Sequence, residues 1–461
     1  MPAAQTTQLI VAFVFLQVVD AFVLPPLPSC TTSTACVSFP RNSLWRSAMT
    51  TRRFVAFQDS KRTHESSEAL AVKENEEEEE LLELEGKYYQ WKHGPVHYVE
   101  AGTEAATADT AAILLLPGFG VSSSHYERNI GPLAASGYHV FAIDYLGQGK
   151  SWPDKDPEKE DQLVLSIDTW SEQIISFIRD VIGRPVYISG NSLGGFLATT
   201  VAARHHEWIR GVVLLNSTPF WSFAPNRKKM HPWVKEAIIP YDGVLPAPRP
   251  LYEIGSRWYN SLRNKETVKA MLGAVYADEK AWGDRLVEQI LVPTEHKHGQ
   301  SVFTSILFAP KPEHTFEETL AQLQQKNIPL LLLYGKEDPW IFPSWGQRVK
   351  RQVSLATYYE LSPAGHCPHH ETPVAVNALI LEWLQKQNGG AGGGEDGGIG
   401  RGSKAMGSGV EGKERGEGPG GDRGSIRTYF EPVTGKQVTA TLMDGRPRDT
   451  IEWLLANTVF R

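Results

Sequence analysis

An α/β architecture is predicted, with a mostly parallel, doubly wound sheet and a helical cap insertion. Three features of the sequence point to it. Apolar runs of strand length recur, each stopped by glycine or proline, as expected of strands buried on both faces. Helical patterns separate these runs, which argues for a parallel sheet covered on both sides and wound by right-handed crossovers. The alternation then lapses between about 217 and 327, where prolines, helical stretches and many aromatics mix.

The elements follow in order from "KYYQWKHGPVHYVEAG", two short β-like runs flanking His93-Gly94-Pro95, a hairpin signal. "AAILLLPGFG" is a continuous apolar run ended by Pro and Gly, and "YHVFAIDYLGQGKS", "PVYISGNS", "GVVLLNS" and "IPLLLLYGKEDP" repeat the pattern. "ATYYELSPAGH" predicts a more polar last strand. In "DTWSEQIISFIRDVIG", Trp170, Ile174, Phe177, Ile178 and Val181 share one stripe at helical spacing. "NSLGGFLATTVAARHH" and "PVAVNALILEWLQKQ" are further helices. The interval 217–327 is expected to cap the sheet's C-terminal edge, most of its aromatics packing the cap's own core.

The rest of the 461 residues divides by composition. Residues 1–21 hold a short apolar run broken by Gln17 and Asp20, too interrupted for a good spanning helix and closer to a signal-peptide core. Residues 22–65 are Ser/Thr-rich with Arg41, Arg46, Arg52 and Arg53 and no acid before Asp59, the composition of an organelle transit peptide. A plastid destination through a two-part leader is therefore expected, against the plainer reading of a secreted protein with a disordered start. Residues 66–86 are an acidic solvated segment, 87–388 the folded domain, and 389–424 a Gly-rich linker. Residues 425–461 read as a small module, a hairpin with a helix around Trp453, Leu454 and Leu455, which docks on an unknown partner. The net charge of -7 and the lack of a basic cluster in the central part exclude a nucleic-acid surface, and three cysteines exclude a disulfide framework.

The chemistry centres on Gly190-Asn191-Ser192-Leu193-Gly194. G-x-S-x-G alone is weak in a chain with 41 glycines, but here it follows a strand and opens a helix, the setting of a nucleophile elbow. A serine hydroxyl needs a base, and His366 in "SPAGHCPHH" stands after the last strand; His369 and His370 read as loop or supporting residues. The imidazole needs an acid, and "LLLLYGKEDPW" supplies Asp338, with Glu337 as nearest rival. The order Ser192, Asp338, His366 is that of the α/β-hydrolase fold. Oxyanion donors are expected from the backbone N–H groups of Leu193 and of Phe119 in "LPGFG", each contributing ~3 kcal/mol. Asp144 is read as organising its own glycine-rich loop. No HExxH cluster points to a metal and no GxGxxG to a nucleotide, so no cofactor is expected.

Taken together, "LPGFGVSSSHYERNI", "AIDYLGQGKS", "PVYISGNSLGGFLA", "GVVLLNSTPFW", "YGKEDPW" and "SPAGHCPHHETP" resemble the pheophytinase family, plastid α/β hydrolases that remove phytol from pheophytin. The resemblance runs from about Trp91 to Leu384. It implies Ser192, Asp338 and His366 as the triad and a tetrapyrrole ester as the substrate. His125, Phe220, Trp221 and Phe223 are the expected substrate contacts, and a peripheral thylakoid contact fits the family's setting. His370 stands where that family leads one to expect an acidic residue, and the linker and C-terminal module are extra. Another ester, a thioester, a C–C bond or chlorophyll itself stays open as substrate, as does a non-catalytic receptor or docking role.

Overall fold

Successive side chains along the central strands point alternately into two apolar clusters, one on each face of the sheet. In the computed structural model, which describes residues 84–103, 107, 110–155, 157, 163–219, 243–389 and 425–444, the strands form one ten-stranded sheet. They are β1 (Lys87–Trp91), β2 (Gly94–Ala101), β3 (Ala112–Leu116), β4 (His139–Ile143), β5 (Val186–Asn191), β6 (Ile209–Leu215), β7 (Leu330–Gly335), β8 (Thr357–Ser362), β9 (Ile426–Glu431) and β10 (Lys436–Leu442). The order is β1-β2-β4-β3-β5-β6-β7-β8-β10-β9. The pairs from β4 through β8 are parallel, and antiparallel pairs close both edges. Every residue of β3, β5 and β7 is buried, as a parallel sheet covered on both faces requires.

The helices are α1 (Glu127–Ala135), α2 (Ile167–Phe177), α3 (Leu193–Arg204), α4 (Arg249–Leu262), α5 (Lys265–Val275), α6 (Asp284–Leu291), α7 (Gly299–Phe308), α8 (Phe316–Gln325), α9 (Pro343–Gln352), α10 (Pro368–Glu371) and α11 (Pro373–Gly389). Leu114, Phe141, Ile188, Leu214 and Leu332 pack on one face with α2, α3, α8 and α9; Ile113, Val140, Tyr187, Val213 and Leu333 pack on the other with α1 and α11. The predicted stripe of α2 faces inward, with Trp170, Ile174 and Phe177 fully buried. Ser166 caps its N-terminus, and a Thr315–Glu318 capping box starts α8.

Two differences from expectation bear on the site. The interval 217–327 does not end as cap: α8 lies against α3, and Phe316, Leu320 and Leu323 enter the main core, while α4 to α7 carry two smaller apolar clusters. The C-terminal segment is not a separate module over its described part. Strand β10 adds to β8 in antiparallel register, from Thr439 opposite Ser362 to Leu442 opposite Tyr359, and buries Val438 and Ala440 against the face under α11. The leader, the acidic segment before 84, the Gly-rich linker, the stretch around Trp453, and Phe220, Trp221 and Phe223 lie outside the described residues.

Candidate active site

Strand β5 ends at Asn191 and α3 begins at Leu193, so the chain reverses through Ser192 alone. Ser192 has φ 52° and ψ -115°, a region non-glycine residues avoid, at a strain of about 1–3 kcal/mol. Both flanking glycines are sterically required. A Cβ at Gly190 would lie 2.2 Å from the Gly194 carbonyl, and one at Gly194 would lie 2.1 Å from the Leu116 carbonyl oxygen. The turn is held by main-chain bonds: Ser192 N–H donates to the Leu215 carbonyl at 3.0 Å, and Thr218 N–H donates to the Ser192 carbonyl at 3.1 Å.

The structure brings the predicted acid and base together. Asp338 Oδ2 lies 2.7 Å from Nδ1 of His366. The carboxylate is 2% exposed, and such burial demands partners. It has them: Asn216 Nδ2 donates to Oδ2 at 2.7 Å, and the N–H groups of Trp340 and Ile341 donate to Oδ1 at 2.8 and 3.0 Å. Glu337, the rival acid, accepts instead from Ser362 Oγ at 2.7 Å and the Ala364 N–H at 2.8 Å, bracing the loop before His366. Trp340 stands edge-on to the His366 ring at 5.3 Å.

Ser192 and His366 are linked through Asn191. Its side-chain amide donates to the Leu215 carbonyl at 3.0 Å and to the His366 carbonyl at 2.9 Å, tying the elbow to the histidine loop. The loop with Phe119 lies alongside: a Cβ at Gly118 would sit 3.6 Å from the Ser192 Cβ. Two buried tyrosines, Tyr126 and Tyr145, donate to the carbonyls of Leu116 and Pro117, both at 2.9 Å. Gln148 Oε1 takes the Gly120 N–H at 2.8 Å. Phe119 itself is half-buried and packs against the cap cluster of Tyr259, Phe303 and Leu307. Leu193 is the first residue of α3, so its N–H has no acceptor within the helix. Asp144 is buried and takes the N–H groups of Ser123 at 2.6 Å and Lys150 at 2.9 Å, the loop-organising role read from sequence.

His125 departs from its expected role as a substrate contact. It is 2% exposed, with Nε2 at 2.9 Å from the Tyr276 hydroxyl and Nδ1 at 3.3 Å from His369 Nε2. The Tyr276 hydroxyl also lies 3.1 Å from His370 Nδ1. These three histidines form an internal cluster rather than a pocket wall, and burial, the largest cause, pushes each ring well below the usual histidine range. Neighbouring positive charge on Arg128 works in the same direction.

Glu371, not singled out in the sequence, is buried and binds the histidine loop to the cap. Its Oε2 accepts the Gly365 N–H at 2.6 Å and its Oε1 the Asp278 N–H at 2.7 Å, while His366 N–H donates to the Val275 carbonyl at 2.8 Å. Burial raises its carboxyl to about 7 despite these donors. Asn191, Asn216 and Trp340 were likewise missed. Asn216 alone carries a conformational signature, a positive φ of 42° at the end of β6.

A strained serine elbow beside a buried Asp–His pair on this sheet defines a class, and sequence comparison agrees with it. Residues 113–379 match the Alpha/beta hydrolase family, to which the chain belongs. Its sequence is 38% identical over 314 residues to the chloroplastic pheophytinase of Arabidopsis thaliana. That alignment covers 63% of this chain and 64% of the Arabidopsis protein. A human (lyso)-N-acylphosphatidylethanolamine lipase is 28% identical over 298 residues, covering 59% of this chain and 79% of its own length. A 2-hydroxy-6-oxononadienedioate/2-hydroxy-6-oxononatrienedioate hydrolase of Paraburkholderia xenovorans is 24% identical over 294 residues, covering 63% and 90%.

Proposed function

We propose that the chain is a serine ester hydrolase that cleaves the phytyl ester of pheophytin to pheophorbide and phytol, with no cofactor. The observation that carries the chemistry is the 2.7 Å contact between Asp338 and His366, on a loop tied through Asn191 to the strained turn of Ser192. The similarity to the Arabidopsis pheophytinase supports the substrate. Its chloroplastic description and the transit-like composition of residues 22–65 support a plastid location.

In this reading Asp338 keeps the His366 proton on Nδ1, leaving Nε2 free to take the Ser192 proton. The Ser192 oxygen bonds to the propionate carbonyl carbon, and the negative charge moves to the carbonyl oxygen. The N–H groups of Leu193 and Phe119 receive it, each contributing ~3 kcal/mol. The phytyl C–O bond breaks, and phytol leaves with the proton from His366. Water, deprotonated by His366, then attacks the acyl-enzyme. Pheophorbide is released and Ser192 regains its proton.

The test compares pheophytin and chlorophyll as substrates for the purified chain, phytol being quantified by chromatography. Preferential release from pheophytin, absent in Ser192→Ala, is expected. Preference for chlorophyll makes the chain a dephytylase instead. Release by Ser192→Ala at the wild-type rate removes the mechanism altogether.

A further inference from the structure

The described part of the C-terminal hairpin reaches the histidine loop from both sides. At the near end, β10 pairs with β8 up to Ser362, four positions before His366. At the far end, Glu431, fully buried, accepts the N–H groups of Ala375 at 2.8 Å and Val374 at 3.1 Å. Those are the opening amides of α11, where a carboxylate satisfies orphan donors and the helix dipole together. The hairpin turn makes a third contact. Lys436 Nζ lies 2.6 Å from Asp278 Oδ2, and Val433 packs on the cluster that contains Cys367 and Tyr276. Asp278 in turn gives its N–H to Glu371, whose other oxygen holds the Gly365 N–H. The segment from 363 to 373, which carries His366, is thus fastened at its start, its end and, through Asp278, its middle by residues roughly sixty to eighty positions further on, beyond the Gly-rich linker.

We propose that the C-terminal hairpin is a positioning element for His366, acting through Glu431 on α11 and through Lys436 and Asp278 on the Glu371 clamp. This rests on the serine-hydrolase reading above. A hydroxyl and an imidazole must meet within hydrogen-bond reach, and small misplacements lower turnover steeply. Loss of Glu431 leaves the buried Ala375 amide and the part-buried Val374 amide without this acceptor and frees the start of α11, which lies seven positions after His366.

The experiment uses the full chain and three readouts: fluorophosphonate labelling rate, kcat and KM on a soluble ester, and Tm. Glu431→Ala is expected to lower kcat per labelled site and the labelling rate about tenfold to a hundredfold, with KM within about twofold. Glu431→Gln, which keeps an oxygen for one amide, recovers part of the loss. Lys436→Met breaks only one ion pair, whose lysine is half-exposed, and leaves the fold intact, so it secures the test if Glu431→Ala fails to fold; it is expected to lower kcat at least about threefold. Phe430→Ser, on the 58% exposed outer side of β9, leaves all three readouts unchanged. Wild-type kcat per labelled site in the Glu431 and Lys436 variants, with only Tm reduced, makes the hairpin structural and overturns this inference alone. A wild-type chain that takes no label sinks the serine reading itself, and this inference with it.

Discussion

Asp338→Asn isolates the electrostatic part of the site because it changes almost no volume. In the wild type Oδ1 receives the Trp340 and Ile341 N–H groups, and Oδ2 receives Asn216 Nδ2 and faces His366 Nδ1. An asparagine keeps its carbonyl oxygen on the two main-chain donors, since an NH2 there would oppose both. Its NH2 then sits where Oδ2 was and points at His366 Nδ1. The imidazole answers by placing its proton on Nε2, the atom that must accept from Ser192. The wrong tautomer lowers kcat by ~10⁴ in a related triad, which converts to ~5.4 kcal/mol in the barrier. Stability falls less, by about 1–3 kcal/mol, because the new NH2 opposes Asn216 Nδ2, whose buried donor loses its acceptor, while the other three contacts lose only their charge assistance or reorient. The assay is phytol release from pheophytin at neutral pH, with Tm measured on the same preparation. A fall in kcat of less than tenfold at an unchanged fold refutes the assignment of Asp338 as the group that sets the His366 tautomer.

Ser192→Gly abolishes turnover and raises stability by about 1–3 kcal/mol, because glycine adopts φ 52° without strain; a Tm at or below wild type by calorimetry contradicts it. Gly194→Ala destabilises by about 3 kcal/mol, the top of the usual overpacking range, since its methyl group meets the Leu116 carbonyl at 2.1 Å; a denaturant midpoint equal to wild type contradicts it. Acid also weakens the fold. His125, His369 and His370 stay neutral when folded and charge when unfolded, so below about pH 6.5 the unfolded state binds more protons and stability falls as pH falls. The slope is up to about 4 kcal/mol per pH unit for three rings, less the opposing contribution of Glu371, whose raised carboxyl favours the folded state as pH drops from about 7. Denaturation curves at pH 5.5 and 7.5 that coincide contradict this.

What could be read in advance was local. An apolar run ended by glycine reports a buried strand through its own residues, so β3 to β7 and the elbow at Ser192 were legible, and chain order then pointed to Asp338 and His366. The hairpin of β9 and β10 was legible as a hairpin too. Its partner was not: pairing with β8 joins residues some eighty positions apart across a linker, and no feature of "KQVTATL" names the edge it completes. The burial of His125, His369 and His370 was hidden for a related reason. Histidine is at home in a loop or a core, and the partners of the inner placement come from afar: Tyr276 of the cap reaches His125 and His370, and Arg128 of α1 also reaches His370. Glu371 belongs with them. Its hold on Gly365 and Asp278 exists only after two distant segments meet.

Covalent labelling of the native chain with a fluorophosphonate, followed by peptide mass mapping, bears most directly on whether one hydroxyl here is an activated nucleophile. A single adduct on Ser192, lost in His366→Ala while the fold persists, is the predicted result. A chain that takes no label, or takes it at another residue with Ser192 intact, contradicts the account.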